Sequence, residues 1–111
     1  MSRIIIHLEA KSAATVTQLK TFKQIWQIGL SEARTRFSKP GVLAEALLFQ
    51  NNHAEVRQQL QATIKLLKDA DTRVSIYELE EEESFQDPST HQFQKIDVET
   101  LQNILEAYED D

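Results

Sequence analysis

The chain has 111 residues, with 12 Lys and Arg against 18 Asp and Glu, 41% apolar residues and no cysteine. That length suits one domain with a single core, which needs neither metal nor disulfide to hold it together. Lack of cysteine excludes thiol catalysis, disulfide frameworks and Cys-based zinc sites, and the longest apolar runs, Ile4–Ile6 and Ala46–Phe49, are far below the ~18 residues that span a bilayer. Met1-Ser2-Arg3 leads straight into a β-like run without a signal-peptide pattern, so a cytoplasmic location is expected. Charge is distributed unevenly: residues 1–73 carry 11 basic and 6 acidic side chains, residues 74–111 one and 12. An acidic segment on a basic body is expected to fold back on it, compete with an acidic partner or reach for a basic one.

Ile4-Ile5-Ile6-His7-Leu8-Glu9 is β-branched and ends in alternation, which predicts a strand burying Ile4, Ile6 and Leu8, with Ile5, His7 and Glu9 on the opposite face. Thr15 and Gln18 have capping-box spacing, and Val16, Leu19, Phe22 and Trp26 then form one apolar stripe of a helix. Trp26 is expected in the core. Gly29 interrupts this helix where a tight turn favours glycine, and the helical pattern restarts from Leu30 to Phe37, so the reading is two short helices joined by an elbow. Pro40-Gly41 closes the second helix, and Val42–Phe49 reads as a largely buried strand. Asn52 and Glu55 mark the start of the longest helix, whose stripe Val56, Leu60, Ile64 and Leu67 runs to about Ala70. Arg73–Leu79 alternates, placing Val74 and Ile76 towards the core and Ser75, Tyr77 and Leu79 on the other face.

Glu80–Lys95 is acidic, then polar, and interrupted by Pro88; it reads as a linker with Phe85 and Phe93 as local anchors. Asp97 is the expected N-cap of a last helix, with Ile96 and Leu101 as a hydrophobic staple and Val98, Leu101, Ile104, Leu105 and Tyr108 as its apolar face. Glu106, Glu109, Asp110 and Asp111 crowd the negative pole of that helix, so its last turn is expected to fray. The expected organisation is thus a body over residues 1–79, an acidic linker over 80–95 and an amphipathic acidic helix over 96–111.

The order strand, helix, elbow, helix, strand, helix, strand describes an α/β sandwich of the α+β kind, a three-stranded sheet with three helices on one face and an extra C-terminal helix. Within it, Leu19-Lys20-Thr21-Phe22-Lys23 and Ile28-Gly29-Leu30-Ser31-Glu32-Ala33-Arg34 resemble, at the same separation, two stretches of the C-terminal domain of the bacterial large-subunit ribosomal stalk protein. The resemblance extends in element order and size over residues 3–79. It implies a non-enzymatic interaction surface on the two elbow helices, which in that family recruit translational GTPases. Carried over, Val16, Leu19, Lys20, Lys23, Leu30, Glu32 and Arg34 form the corresponding patch. Thr15 and Ser31 stand where the family usually has Lys, and the family's dimerising N-terminal domain and hinge have no counterpart here. The implied role is an adaptor or decoy for a translational GTPase or another ribosome-associated factor.

Other constellations carry less. His7 and Glu9 with His53 or His91 have no ligand-like spacing, so no metal or cofactor is expected, and no serine has a base and an orienting group near it in sequence. Lys20, Lys23, Arg34, Arg36 and Lys39 suit phosphates, but the acidic third of the chain disfavours nucleic acid. The other function class is a scaffold whose acidic C-terminal helix mediates dimerisation or binds a basic partner. That helix is expected to lay Leu101, Ile104, Leu105 and Tyr108 on the open sheet face at Ile5, Tyr77 and Leu79, in its own chain or by exchange in a homodimer. The competing placement is over the basic elbow helices.

Overall fold

The computed structural model describes residues 2–12, 14–48 and 53–106. Its elements run β1 (Ser2–Leu8), α1 (Val16–Trp26), α2 (Leu30–Ser38), β2 (Gly41–Leu47), α3 (His53–Asp69), β3 (Val74–Glu80), a 3-10 helix (Pro88–Gln94), β4 (Lys95–Ile96) and α4 (Val98–Glu106). The class is α+β, with an antiparallel sheet in the order β2-β1-β3-β4. The expected Asn52 cap, Phe49, Tyr108 and the last turn of the final helix lie outside the described residues.

Ile4, Ile5 and Ile6 of β1 have no exposed surface, although successive side chains of a strand point to opposite faces. Both faces of the sheet are therefore covered. On one, Ile4, Ile6 and Leu8 meet Leu19 and Phe22 of α1, Ala33 and Phe37 of α2, and Val56, Leu60, Ile64 and Leu67 of α3. Phe22 and Phe37 pack edge to face at 5.0 Å and join the two elbow helices beneath their surface. β2 keeps contact with this core through a bulge: the register passes from Ile6↔Ala44 to His7↔Val42, so Leu43 and Ala44 are both buried in it.

The second face carries Ile5, Tyr77 and Leu79, as the alternation of β1 and β3 predicts, but the C-terminal helix does not cover it. Phe85 does, with its ring 5.1 Å from Tyr77, 5.4 Å from His7 and stacked on buried His91 at 5.0 Å. Leu101 and Leu105 are instead buried in the helix-side core, with Ile104 packed against it and α4 lying beside α3. The expected tail docking against Ile5, Tyr77 and Leu79 is corrected accordingly, and the placement over the elbow helices is not adopted either.

The physical reason lies in the segment read as a linker. It turns at Glu81–Glu82, lays Phe85 and His91 on Tyr77, and returns along the edge of β3 as β4, with Ile76↔Ile96 and Tyr77↔Lys95 in register. The expected three-stranded sheet therefore has a fourth strand, and the chain leaving it is delivered to the helix side. Of the two expected anchors only Phe85 holds, since Phe93 is 85% exposed. Arg3 fastens the start of this cover by pairing with Glu45 and donating to the Glu81 carbonyl at 2.7 Å.

Asp97 caps α4 as expected, its carboxylate accepting from the Thr100 amide at 2.7 Å. Hydrogen bonds from the Thr100 hydroxyl and amide hold this carboxyl below the ordinary aspartate value of 3.8. A carboxyl depressed in the folded state contributes stability that is complete above its unfolded pKa and is lost as pH falls through the lower folded value. Melting temperature followed by circular dichroism should thus be flat from neutral pH to about pH 5 and drop below about pH 4, and Asp97→Asn, which keeps the accepting oxygen, should reduce the acid-dependent part of that drop. Leu101→Ala should cost about 2–5 kcal/mol in denaturant unfolding, because it opens a cavity between α4 and the main core, whereas Phe93→Ala should change stability by less than about 0.5 kcal/mol.

Candidate functional site

The elbow is built as two helix ends meeting. The capping box is complete, with the Gln18 amide donating to Thr15 Oγ1 at 3.2 Å and the Thr15 amide to Gln18 Oε1 at 2.8 Å. At the other end of α1 the Gln27 and Ile28 amides both donate to the Lys23 carbonyl, a Schellman-type closure with Gln27 in the left-handed region at φ 53°. Gly29, the residue the sequence points to as special, has an ordinary φ of −74°, and a Cβ there would meet nothing within 4 Å. The turn's unusual backbone belongs to Gln27.

The seven patch residues separate into three groups. Leu19 is buried and Leu30 is half-buried against the main core, since both belong to the inward stripes of their helices. Glu32 is exposed but pairs with Arg36 at 2.9 Å, and Arg36 also donates to the Leu43 carbonyl at 2.8 Å, fixing α2 to the bulge of β2. Val16, 51% exposed, and the exposed cations Lys20, Lys23 and Arg34 remain as surface. None of these three cations has a hydrogen bond or ion pair among the described residues. The surface that results is cationic, edged by one aliphatic side chain, on helices held rigidly from below.

Part of that rigidity comes from residues that periodicity does not single out. Trp26 lies against the core as expected, and its indole N–H donates to Thr63 Oγ1 at 2.9 Å, while that hydroxyl donates to the Gln59 carbonyl at 2.7 Å. Gln59 in turn donates from Nε2 to the Ile25 carbonyl at 3.0 Å, satisfying an end group of α1 that the helix itself leaves unpaired. The available signal was Thr63 itself, a fully buried hydroxyl on an otherwise aliphatic stripe beneath a tryptophan that needs an acceptor.

Two further polar clusters lie outside the elbow, one at His7 and one at His91. His7 Nδ1 lies 3.3 Å from Glu9 Oε1, and a hydrogen bond from Ser75, aided by His7 and partly opposed by burial, holds the Glu9 carboxyl below its ordinary range. The acid therefore sits between the serine and the histidine. His91 accepts from the Gln86 amide through Nε2 at 3.2 Å and meets Gln94 Oε1 through Nδ1 at 2.8 Å, which assigns the proton to Nδ1. Glu83 Oε2 is 3.6 Å from the same nitrogen, and Gln94 donates to Glu83 Oε1 at 2.8 Å, so both ring nitrogens are used in fastening the cover of the sheet. Among the described residues no group of three or more His, Cys, Asp or Glu is arranged to hold a metal ion, and no helix is long and apolar enough to cross a membrane. No family model, no curated protein and no solved structure matches the chain.

The Trp26–Thr63 bond can be tested directly. Thr63→Val should cost about 0.5–1.5 kcal/mol by leaving the indole N–H of half-buried Trp26 without its acceptor and should shift Trp26 fluorescence, while Thr63→Ser should retain the bond and most of the stability.

Proposed function

We propose that the chain is a protein-interaction module without catalytic activity of its own, and that it docks on an acidic partner surface through α1, the elbow and α2. The observation that carries this reading is the exposure of Lys20, Lys23 and Arg34 without a hydrogen bond or ion pair among the described residues, next to exposed Val16. Cations left unsatisfied on rigid helices meet little competition from their own surface for a partner's carboxylates. The resemblance of Leu19–Lys23 and Ile28–Arg34 to the stalk domain supports a translational GTPase or ribosome-associated factor as that partner, with the chain as adaptor or decoy in the cytoplasm.

The α4-based scaffold reading has less in its favour. Leu101 and Leu105, the residues it needs on a binding surface, are used inside the chain. The exposed faces of α4 and the acidic cover of the sheet are left for basic partners.

Biolayer interferometry with a purified translational GTPase distinguishes the outcomes. Lys20→Glu with Arg34→Glu should weaken binding by about tenfold or more, an effect that shrinks as salt rises, while melting temperature stays nearly unchanged because exposed charges contribute little to stability. Binding that is absent in the parent chain, or unaffected in the double variant, would overturn the reading.

A further inference from the structure

A second surface, which shares no residue with the elbow patch, lies at the far end of the sheet. There the C-terminal end of α3 and the first residue of α4 stand apart over the outer edge of β3, leaving a groove of about 730 Å³ that continues into a smaller space of about 580 Å³ beside β4. Ile64, Leu67 and Val98 line its aliphatic wall, and Lys68, Arg73 and Lys95 stand along its polar side.

The groove exists because the β3–β4 ladder stops early. In the register Ile76↔Ile96, the residue opposite Val74 would be Val98, but Val98 is already the first residue of α4. Among the described residues Val74 therefore has no strand partner on that edge. Its polar groups nevertheless face it: the Arg73 carbonyl accepts from the Glu9 amide at 2.9 Å, towards β1, and successive residues of a strand turn their peptide groups to opposite edges. One N–H and one C=O of Val74 are thus presented to the groove, where a backbone in extended form can pair with them.

We propose that this groove takes an extended peptide segment of alternating acidic and aliphatic side chains as an added strand on β3. Alternation follows from which side of the sheet each wall belongs to. Ile64, Leu67 and Ile76 lie on the helix side, whereas Lys95 pairs with Tyr77 of the opposite face and Arg73 has the same parity as Ser75 and Tyr77. An added strand sets every second side chain against the aliphatic wall and the intervening ones towards Arg73 and Lys95. The sign of those intervening side chains follows from the cations. Lys68, Arg73 and Lys95 make no hydrogen bond or close ion pair among the described residues; Lys95 acts on Glu9 only at longer range, Glu9 being held chiefly by Ser75 with His7, and Asp97 is held by the Thr100 amide, so the three cations outnumber the one remaining acid of the groove, Asp71. Val98, 40% exposed on the wall, is available to a ligand side chain without displacing anything from the core.

The test is an amide-resolved NMR titration of the full chain with the peptide acetyl-Val-Glu-Val-Glu-Val-amide. The expected result is a set of shifts at Val74, Ser75, Ile76 and Lys95, with hydrogen exchange at the Val74 amide slowed about tenfold at saturation. Arg73→Glu with Lys95→Glu, both exposed positions, should weaken this peptide by about tenfold or more and reverse the preference towards acetyl-Val-Lys-Val-Lys-Val-amide. The inference is overturned if the acidic peptide leaves Val74 unshifted, if backbone N-methylation of the peptide does not weaken binding, or if octanoate gives the same shifts while the peptide gives none, which would make the groove a site for small amphipathic carboxylates. Since the elbow residues are untouched in this double variant, loss of peptide binding is distinguishable from any failure at the elbow.

Discussion

The fold depends on a single requirement, that β1 be buried on both faces. Three consecutive isoleucines with no exposed surface leave no side of the sheet for water, so each face needs its own cover. Helices supply one cover in the usual way, through stripes on α1, α2 and α3 that converge on Ile4, Ile6 and Leu8. The other cover is small, because Ile5, Tyr77 and Leu79 present only a narrow apolar strip, and one aromatic ring from a short segment suffices. Once Phe85 is seated, the length of chain to the next apolar residues brings it back at the edge of β3 rather than across the sheet. β4 and the helix-side position of α4 follow from that.

Much of this was legible from residues near one another in sequence. The Thr15–Gln18 box, the Asp97 cap and the alternation that separates Val74 and Ile76 from Tyr77 and Leu79 are local patterns, and the structure contains each of them. What was not legible depends on distant contacts. Phe85 and Phe93 sit in equally polar surroundings and differ only in which one faces Tyr77. A two-residue strand has no periodicity to detect, and the bulge at Leu43–Ala44 hides behind a continuous apolar run. At the elbow the conspicuous Gly29 drew attention from Gln27, whose left-handed backbone is set by the hydrogen bonds that close α1.

The candidate surface shows the same division. Lys20, Lys23 and Arg34 are recognisable from sequence as cations outside the apolar stripes, and the structure leaves them exposed. Leu19 belongs to the stripe itself and is consumed by the core, so an aliphatic residue carried over on a resemblance need not be surface here. Gln59 and Thr63 hold the elbow from α3, and although Thr63 stands out as a hydroxyl on an aliphatic stripe, nothing in sequence names their partners, an indole nitrogen and a carbonyl more than thirty residues away.

The arrangement also decides where the chain's uneven charge ends up. The acidic run Glu80–Glu83 belongs to the cover of Ile5, Tyr77 and Leu79, on the face of the sheet opposite the elbow helices. A sheet and a helix layer stacked ~10 Å apart put a Debye length or more between these acids and Lys20, Lys23 and Arg34 at physiological salt. Glu80–Glu83 therefore do not neutralise these three cations by contact, and they frame instead the small aromatic cover that burial of Ile5 requires.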